Sequence, residues 1–347
     1  MELNKIKLKH FRNHKTLELE FDNKLTLIQG ANGSGKTNIL ESIYLLSASK
    51  SNKARYDRDM IEHDKNFCSV VGNVLSDDQE YLLEVQIIKS EVYENASTKK
   101  GKVNKVAKSQ KLFNKVFNTV IFAPEDIEII TGSPSERRKH MDLVLSQIDY
   151  EYKRALTTFT KSLRQRNKLL EMINEEGRGR GQLGFWEEKI IESGEFIQQK
   201  RTELLNFYQD DLANNGSSIK KDLEIVYKIN KISPERIESH RDKEIMAKTT
   251  LVGPHRDDFE ILMDGYDISE FGSRGQQRSA ILSLKIAEIN FIEKKVGEKP
   301  VLLLDDIFSE LDDEHRKEVI RLIDFQQTII TSAEKLNLGK SCKLVNL

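Results

Sequence analysis

Cysteine is almost missing from this 347-residue chain, which carries only Cys68 and Cys342. Two thiols cannot build a disulfide framework or a cysteine zinc site, and such scarcity suits a reducing compartment. Long apolar runs are missing too. No stretch of eighteen or more apolar residues occurs, which excludes a transmembrane helix. Residues 1–5, followed by the alternating Ile6 and Leu8, lack the apolar stretch and small-residue cleavage site of a secretion signal. Net charge is nearly absent: Lys+Arg 55 against Asp+Glu 56 leaves −1, so any nucleic-acid contact must come from local patches. There is no internal repeat and no long low-complexity tract. Neither a G-x-S-x-G element nor an H-E-x-x-H helix is present, so peptidase chemistry has no support. These absences lead to the expectation of a soluble, cytoplasmic protein with no membrane partner.

What is present is enough for about two domains at roughly 150 residues each, with 38% hydrophobic and 32% charged residues. Residues 1–30 read as strands. Ile6 and Leu8 alternate with lysines, Leu17, Leu19 and Phe21 alternate with polar residues, and Leu25-Thr26-Leu27-Ile28 runs apolar into Gly30. Residues 38–47 read as a helix, 68–90 as further strands, and 120–122 as a short apolar strand. Between them, residues 99–115 hold seven lysines (99, 100, 102, 105, 108, 111, 115) and no acid. Turn residues near Pro124 and Gly132-Ser133-Pro134 mark a change of character. From 135 to about 214 the pattern is helical: Leu156, Phe159, Leu163, Leu170 and Ile173 share one ~100° sector. The loop Gly177-Arg178-Gly179-Arg180-Gly181 breaks the pattern before Ile190, Ile197 and Leu204 continue it. Two helices of about 25 residues would form an antiparallel pair about 35–40 Å long. Residues 222–265 read as strand pieces among polar loops, and the last eighty as helix, strand, helix, strand.

Gly30-Ala31-Asn32-Gly33-Ser34-Gly35-Lys36-Thr37 matches G-x-x-x-x-G-K-[ST] between a strand and a helix. Glycines let backbone N–H groups turn inward around phosphates. Lys36 offers a point charge to the β and γ phosphates, and Thr37 a hydroxyl to Mg²⁺. Val301-Leu302-Leu303-Leu304-Asp305-Asp306 is an apolar strand ending in two acids, the pattern of a carboxylate that holds Mg²⁺ partly through water. The expected ligands are therefore ATP, held by residues 30–37, and Mg²⁺, held by Thr37 and Asp305. Lys36, Asp305 and Asp306 are the candidate catalytic residues. With Lys36 and Asp305 269 positions apart, the ATPase core is split by a large insertion.

Phe271-Gly272-Ser273-Arg274-Gly275-Gln276-Gln277-Arg278 stands before a helical pattern and resembles the signature motif of ABC-type ATPases. Ser273, Gly275 and Gln276 match, whereas Gly272 and Arg274 depart. In that family the motif acts in trans on the nucleotide of the other subunit. Ser309-Glu310-Leu311-Asp312 similarly resembles the D-loop that crosses the dimer interface. A split head with a helical insertion resembles the SMC/Rad50 group, and within it the RecF family of bacterial recombination mediators. The matching blocks are Phe11-Arg12-Asn13-His14, residues 30–43, Phe122-Ala123-Pro124-Glu125-Asp126, residues 132–138, Gly253-Pro254-His255-Arg256-Asp257-Asp258, and residues 271–288. The resemblance implies an α/β, ABC-type P-loop ATPase head, with residues 1–130 and 246–347 forming the head and 131–245 a short helical arm. It further implies a homodimer formed on ATP, action at gapped or junction DNA, RecR and RecO as partners, and loading of a recombinase.

Departures from the family pattern point to slow hydrolysis. Asp306 stands where ABC ATPases usually have Glu, residues 328–333 contain no switch histidine, and no clear Q-loop glutamine is present, Glu125 and Asp126 lying nearest. For DNA, Arg154, Lys161, Arg164 and Lys168 fall within about 80° of one another on a helical wheel, opposite the apolar stripe. An ordinary solvated face is the plainer reading of this stripe, as an exposed hairpin is of the lysine run. Neither is interleaved with a stacking platform of aromatics. His255, Asp257 and Asp258 read as structural or interfacial rather than metal-binding. The alternatives are an SMC-like organiser, an ATPase that regulates a nuclease partner, and a transporter nucleotide-binding domain.

Overall fold

Strands covered on both faces run continuously apolar, and strands covered on one face alternate. Both kinds occur within the same half of this chain and build two different sheets. The computed structural model describes residues 1–90, 92, 96–107, 116–215, 223–309 and 311–347. These fall into two compact units, Met1–Asp126 with Ile281–Leu347, and Ile127–Ala280.

In the first unit, β1 (Glu2–Phe11), β2 (His14–Glu20), β4 (Phe67–Ser76), β5 (Gln79–Lys89), β6 (Ser97–Val103) and β7 (Val106–Ala107) form an antiparallel sheet in the order β2-β1-β4-β5-β6-β7. Leu3, Ile6, Leu8, Val70, Val74, Val85 and Ile87 point inward from it. The second sheet is parallel and contains β3 (Leu25–Gln29), β8 (Thr119–Phe122), β12 (Val301–Asp305), β13 (Thr328–Ser332) and β14 (Lys343–Asn346), in the order β14-β3-β13-β12-β8. Helix Lys36–Ala48 packs against strands of both sheets. Ile39, Leu40, Ile43, Leu45 and Leu46 are all fully buried, as expected for a helix covered on every side. A buried leucine or isoleucine in such a place is worth about 2–5 kcal/mol against Ala.

The lysine run divides. Residues 97–107 form the β6–β7 hairpin, where Lys99 pairs with Asp57 at 2.7 Å and Lys102 with Glu84 at 3.2 Å. Lys108, Lys111 and Lys115 lie outside the described residues. The basic tract is thus partly neutralised by its own unit.

The second unit carries helix Pro134–Ile148 and the long helices Tyr150–Glu176 and Leu183–Asn215, of 27 and 33 residues. The latter two span about 40 and 50 Å at 1.5 Å per residue, the first as the sequence pattern led one to expect and the second longer. The first begins where Asp149 accepts from Tyr152 N and ends at Gly177, whose φ of 71° stops a helix. Ile190, Ile197 and Leu204 are fully buried. Charge is buried here as well. Arg166, with no exposed surface, pairs with Glu244 at 2.6 Å and Glu187 at 3.0 Å.

Two features depart from expectation. The stretch read as strand pieces and polar loops contains helix Pro234–Ala247, whose start Ser233 caps by accepting from Arg236 N, with Pro at the first turn. Its apolar face is thin, Ile237 and Ile245 being the hydrophobic residues it buries, so periodicity hid it while the Ser-Pro start signalled it. Residues 246–280, expected with the C-terminal part of the head, belong to the second unit. There β10 (Asp258–Met263) pairs antiparallel with β9 (Leu223–Lys228), from Asp258↔Lys228 to Met263↔Leu223, and β11 (Tyr266–Asp267) completes the sheet on its other side. Pairing across thirty residues of intervening chain leaves no local trace.

Candidate functional site

Strand β3 leads into residues 30–35, and helix Lys36–Ala48 leaves them. Gly35 is the N-cap at φ 99°, with no side-chain cap bond and no acid in the first turn. The first N–H groups of a helix have no partners within it, so this end is an uncapped, positively polarised donor cluster suited to an anion. Gly33 has φ 83°. Lys36 is buried, and its Nζ donates to the carbonyls of Gly30 at 2.7 Å and Ala31 at 3.0 Å. An ammonium has three N–H groups, so one remains for a ligand. The buried hydroxyl of Ser34 has no partner within the described residues. Asn32 is exposed.

The loop is braced by the segment Arg12-Asn13-His14. Buried His14 places Nε2 3.1 Å from the Gly35 carbonyl, which accepts from it. Asn13 donates to the Gly33 carbonyl at 3.5 Å and accepts from Asn38 at 2.9 Å. Arg12 grips buried Glu41 with two hydrogen bonds of 2.8 and 2.6 Å. A Cβ on Gly35 would come within 2.5 Å of His14 Nε2. The motif was visible in the sequence, but its bracing role was not.

Thr37 and Asp305, 268 positions apart, meet: Thr37 Oγ1 donates to Asp305 Oδ1 at 2.8 Å. Thr331, on the strand between β3 and β12, donates to the same oxygen at 2.9 Å. Lys53, which sequence reasoning missed, lies 3.3 Å from Asp305 Oδ2 and 3.2 Å from Glu125 Oε1. Burial works against its charge, but Asp305 and Glu125 outweigh burial and raise the Lys53 ammonium above its usual value. A lone lysine in a loop carries no sequence signal. Asp306 sits in the left-handed region at φ 52°. Its N–H donates to Thr331 Oγ1 at 3.1 Å, and its Oδ1 accepts from Ala333 N at 3.4 Å. Strain of this kind costs of order 1–3 kcal/mol and gathers at functional sites.

These residues fit the groups the sequence pointed to. An uncapped helix start, a lysine with a spare donor and an orphan hydroxyl suit a polyphosphate. A hydroxyl and a carboxylate in contact suit Mg²⁺, which takes one or two protein oxygens and completes its shell with phosphates and water. No group of three or more His, Cys, Asp or Glu that could hold a metal occurs among the described residues.

In the second unit, Ser273 and Gln276 cap helix Arg274–Val296 reciprocally: Gln276 N donates to Ser273 Oγ at 3.3 Å, and Ser273 N to Gln276 Oε1 at 2.7 Å. This is a capping box, a structural role that the signature resemblance did not anticipate. It leaves the serine proton free to donate. A Cβ at Gly275 would meet nothing within 4 Å. Glu310 of the D-loop-like segment lies outside the described residues. Arg154, Lys161, Arg164 and Lys168 are all exposed on helix Tyr150–Glu176, with Arg154 paired to Glu151 at 2.9 Å. Asp257 is fully buried and accepts from Gln198, Asn230 N, Tyr227 and Arg201, while Asp258 chelates Arg137 at 2.6 and 3.0 Å. Those acids are spent on holding the helices. No helix is long and apolar enough to cross a membrane among the described residues.

Residues 2–347 match the family described as RecF/RecN/SMC N terminal domain. The DNA replication and repair protein RecF of Bacillus thuringiensis (strain Al Hakam) is 38% identical over 354 residues, covering 96% of this chain and 92% of that protein. A solved structure described as "the recombination mediator protein RecF-ATPrS in RecFOR pathway" superposes with a TM-score of 0.90 at 35% identity, covering 99% of this chain and 95% of the other. The SmcHead bound to the C-winged helix domain of ScpA, at 17% identity, TM-score 0.53 and coverage of 100% and 94%, shares the fold alone. The chain therefore belongs to the RecF family of DNA replication and repair proteins, with the split α/β ABC-type head of the RecF/RecN/SMC class.

Proposed function

We propose that this protein binds Mg-ATP at residues 30–37, dimerises on ATP through an ABC-type sandwich, and grips gapped or junction DNA to help load a recombinase. The contact between Thr37 and Asp305 carries the reading: a hydroxyl at an uncapped helix start and a carboxylate at a strand end are brought to 2.8 Å across most of the chain. Bound ATP with Mg²⁺ would supply a polyphosphate whose β/γ end is charge-neutralised by the metal. Toward it, the backbone N–H groups at 33–37 bind, Lys36 offers the ammonium N–H not used by the loop carbonyls, and Thr37 and Asp305 hold the metal side. Asp306 orients water for slow hydrolysis, its carboxylate being one methylene shorter than the usual Glu. Ser273, Gly275 and Gln276 serve the partner subunit's nucleotide. Arg154, Lys161, Arg164 and Lys168 form the DNA-tracking stripe, and binding should weaken with log salt at about −0.9 per phosphate neutralised. The relatives' roles in DNA replication and repair and in the RecFOR pathway support DNA, RecR and RecO as partners.

Light scattering with and without Mg-ATP tests the reading. The wild type should double in mass on ATP. Lys36→Ala should lose ATP binding, whereas Ser273→Arg should keep it and stay monomeric. Ser273→Asp, which preserves the helix cap, should behave like Ser273→Arg; a normal ATP dimer in that variant would end the trans role.

A further inference from the structure

The two oxygens of the buried Asp305 carboxylate face different partners. Oδ1 is occupied by the Thr37 and Thr331 hydroxyls, whereas Oδ2 faces the Lys53 ammonium at 3.3 Å. The same ammonium reaches Glu125 at 3.2 Å. Lys53 thus spans two carboxylates from separate segments at a place that would otherwise attract a hard divalent cation. Both separations exceed the 2.7–2.9 Å of tight charge-assisted bonds, so the pairing is loose. The backbone beneath it is not. Ser51 Oγ accepts from Lys53 N at 2.9 Å and Ala54 N at 2.7 Å, and donates to Glu41 at 2.5 Å. Glu41 is in turn held by Arg12. An anchored loop therefore carries a four-carbon side chain that is 31% exposed.

We infer that Lys53 is a resident counter-cation that occupies the metal's side of Asp305 and must leave before a divalent ion can bind there. This rests on the reading of Thr37 and Asp305 as the metal-side oxygens. Two cations cannot share the one Asp305 carboxylate without strong repulsion, so Lys53 opposes metal entry into the nucleotide-free protein. A polyphosphate arriving with the metal offers the displaced ammonium a new anion, which makes metal and nucleotide binding interdependent. Premature loading of the site by metal alone is thereby suppressed.

The test uses Mn²⁺ as probe, with free ion followed by electron paramagnetic resonance, on the full chain without nucleotide. Lys53→Met keeps length and removes charge. It should bind Mn²⁺ about tenfold tighter than wild type or better, given a charge lost in a partly screened site. Without metal it should also melt lower, because two carboxylates lose their cation, and Mg²⁺ should restore its midpoint while leaving that of the wild type unmoved. The gain should vanish in Lys53→Met with Asp305→Asn. Lys53→Gln supplies the same readout if the methionine variant fails to fold. Equal Mn²⁺ affinity in wild type and variant overturns the inference, and so does a gain that survives Asp305→Asn. An ATP titration of the wild type separates the two readings: absent ATP binding with the Mn²⁺ gain intact sinks the proposed function and leaves the role of Lys53 standing.

Discussion

Replacing Gly35 with alanine strikes the phosphate loop at its most constrained point. Gly35 has φ 99°, and a Cβ there would lie 2.5 Å from His14 Nε2 and 2.6 and 2.7 Å from the two Asn13 amide atoms. The left-handed backbone alone costs an L-residue roughly 1–2 kcal/mol. Overpacking against neighbours that must shift adds about 1–3 kcal/mol, and His14 has little room to retreat because its ring is buried and bonded to Gly35 itself. If the loop escapes by giving up its phosphate-ready shape, ATP affinity falls by about thirtyfold to a few thousandfold, at 1.4 kcal/mol per tenfold. Gly33→Ala is the built-in control. Its φ is 83°, but a Cβ there meets nothing within 4 Å, so only the backbone cost of about 1–2 kcal/mol applies, a loss of roughly five- to thirtyfold. Isothermal titration calorimetry with Mg-ATP, alongside circular dichroism to confirm folding, measures both. A Gly35→Ala variant that binds ATP like wild type, or a Gly33→Ala variant that suffers equally, refutes the argument from steric bracing.

Three further outcomes are expected. Gly275→Ala adds a methyl to open space within a helix, so the thermal midpoint should hold or rise by the equivalent of up to about 1 kcal/mol, while light scattering should show the ATP-dependent dimer lost; unimpaired dimerisation would remove Gly275 from the trans site. Arg166→Met leaves Glu244 and Glu187 without their buried cation and should cost about 3–5 kcal/mol in urea unfolding; a cost under about 1 kcal/mol would show the triad to be dispensable. His255 donates from Nε2 to the Thr250 carbonyl at 3.0 Å and lies tilted against the Phe159 ring, with centroids 5.8 Å apart. Burial, aided by Arg256 and Arg138 and opposed by the Thr250 bond and Asp257, lowers its imidazole below the usual 6.5. The unfolded chain then binds the proton more readily, so the stability from a neutral His255 is fully present above 6.5 and lost as pH falls through the folded value. Unfolding of wild type and His255→Gln between these limits should converge as pH drops; parallel curves would contradict the shift.

Much of the candidate site was legible because its logic is local. Residues 30–37 form a loop whose spacing states its chemistry, and the apolar run at 301–304 ending in Asp305 reads as a buried strand end on its own. Strands β3, β8 and β12 were recognisable as unbroken apolar runs and β1, β2, β4 and β5 by alternation, whereas the largely exposed β14 was not. Ser273 and Gln276 were singled out for their resemblance to a signature motif, and the structure shows them joined in a capping box. Helix Pro234–Ala247 escaped because few of its residues face a core, and periodicity reports burial rather than helicity. The helical arm came out longer than its apolar stripe, since caps at Asp149 and Gly177 set its ends.

The sequence by itself determined the G-x-x-x-x-G-K-[ST] loop, the apolar strand ending in paired acids and the family of the protein, because each is written in contiguous residues whose types are dictated by φ, charge or burial. Only the tertiary structure decided what surrounds them. That Thr37 and Thr331 share one oxygen of Asp305, that Lys53 takes the other, that His14 and Asn13 brace two glycine carbonyls, and that Asp257 is spent on the helices are all meetings between distant segments. Such meetings are set by sheet order and packing. A side chain's charge or hydroxyl is visible in the sequence, but its partner is chosen in three dimensions.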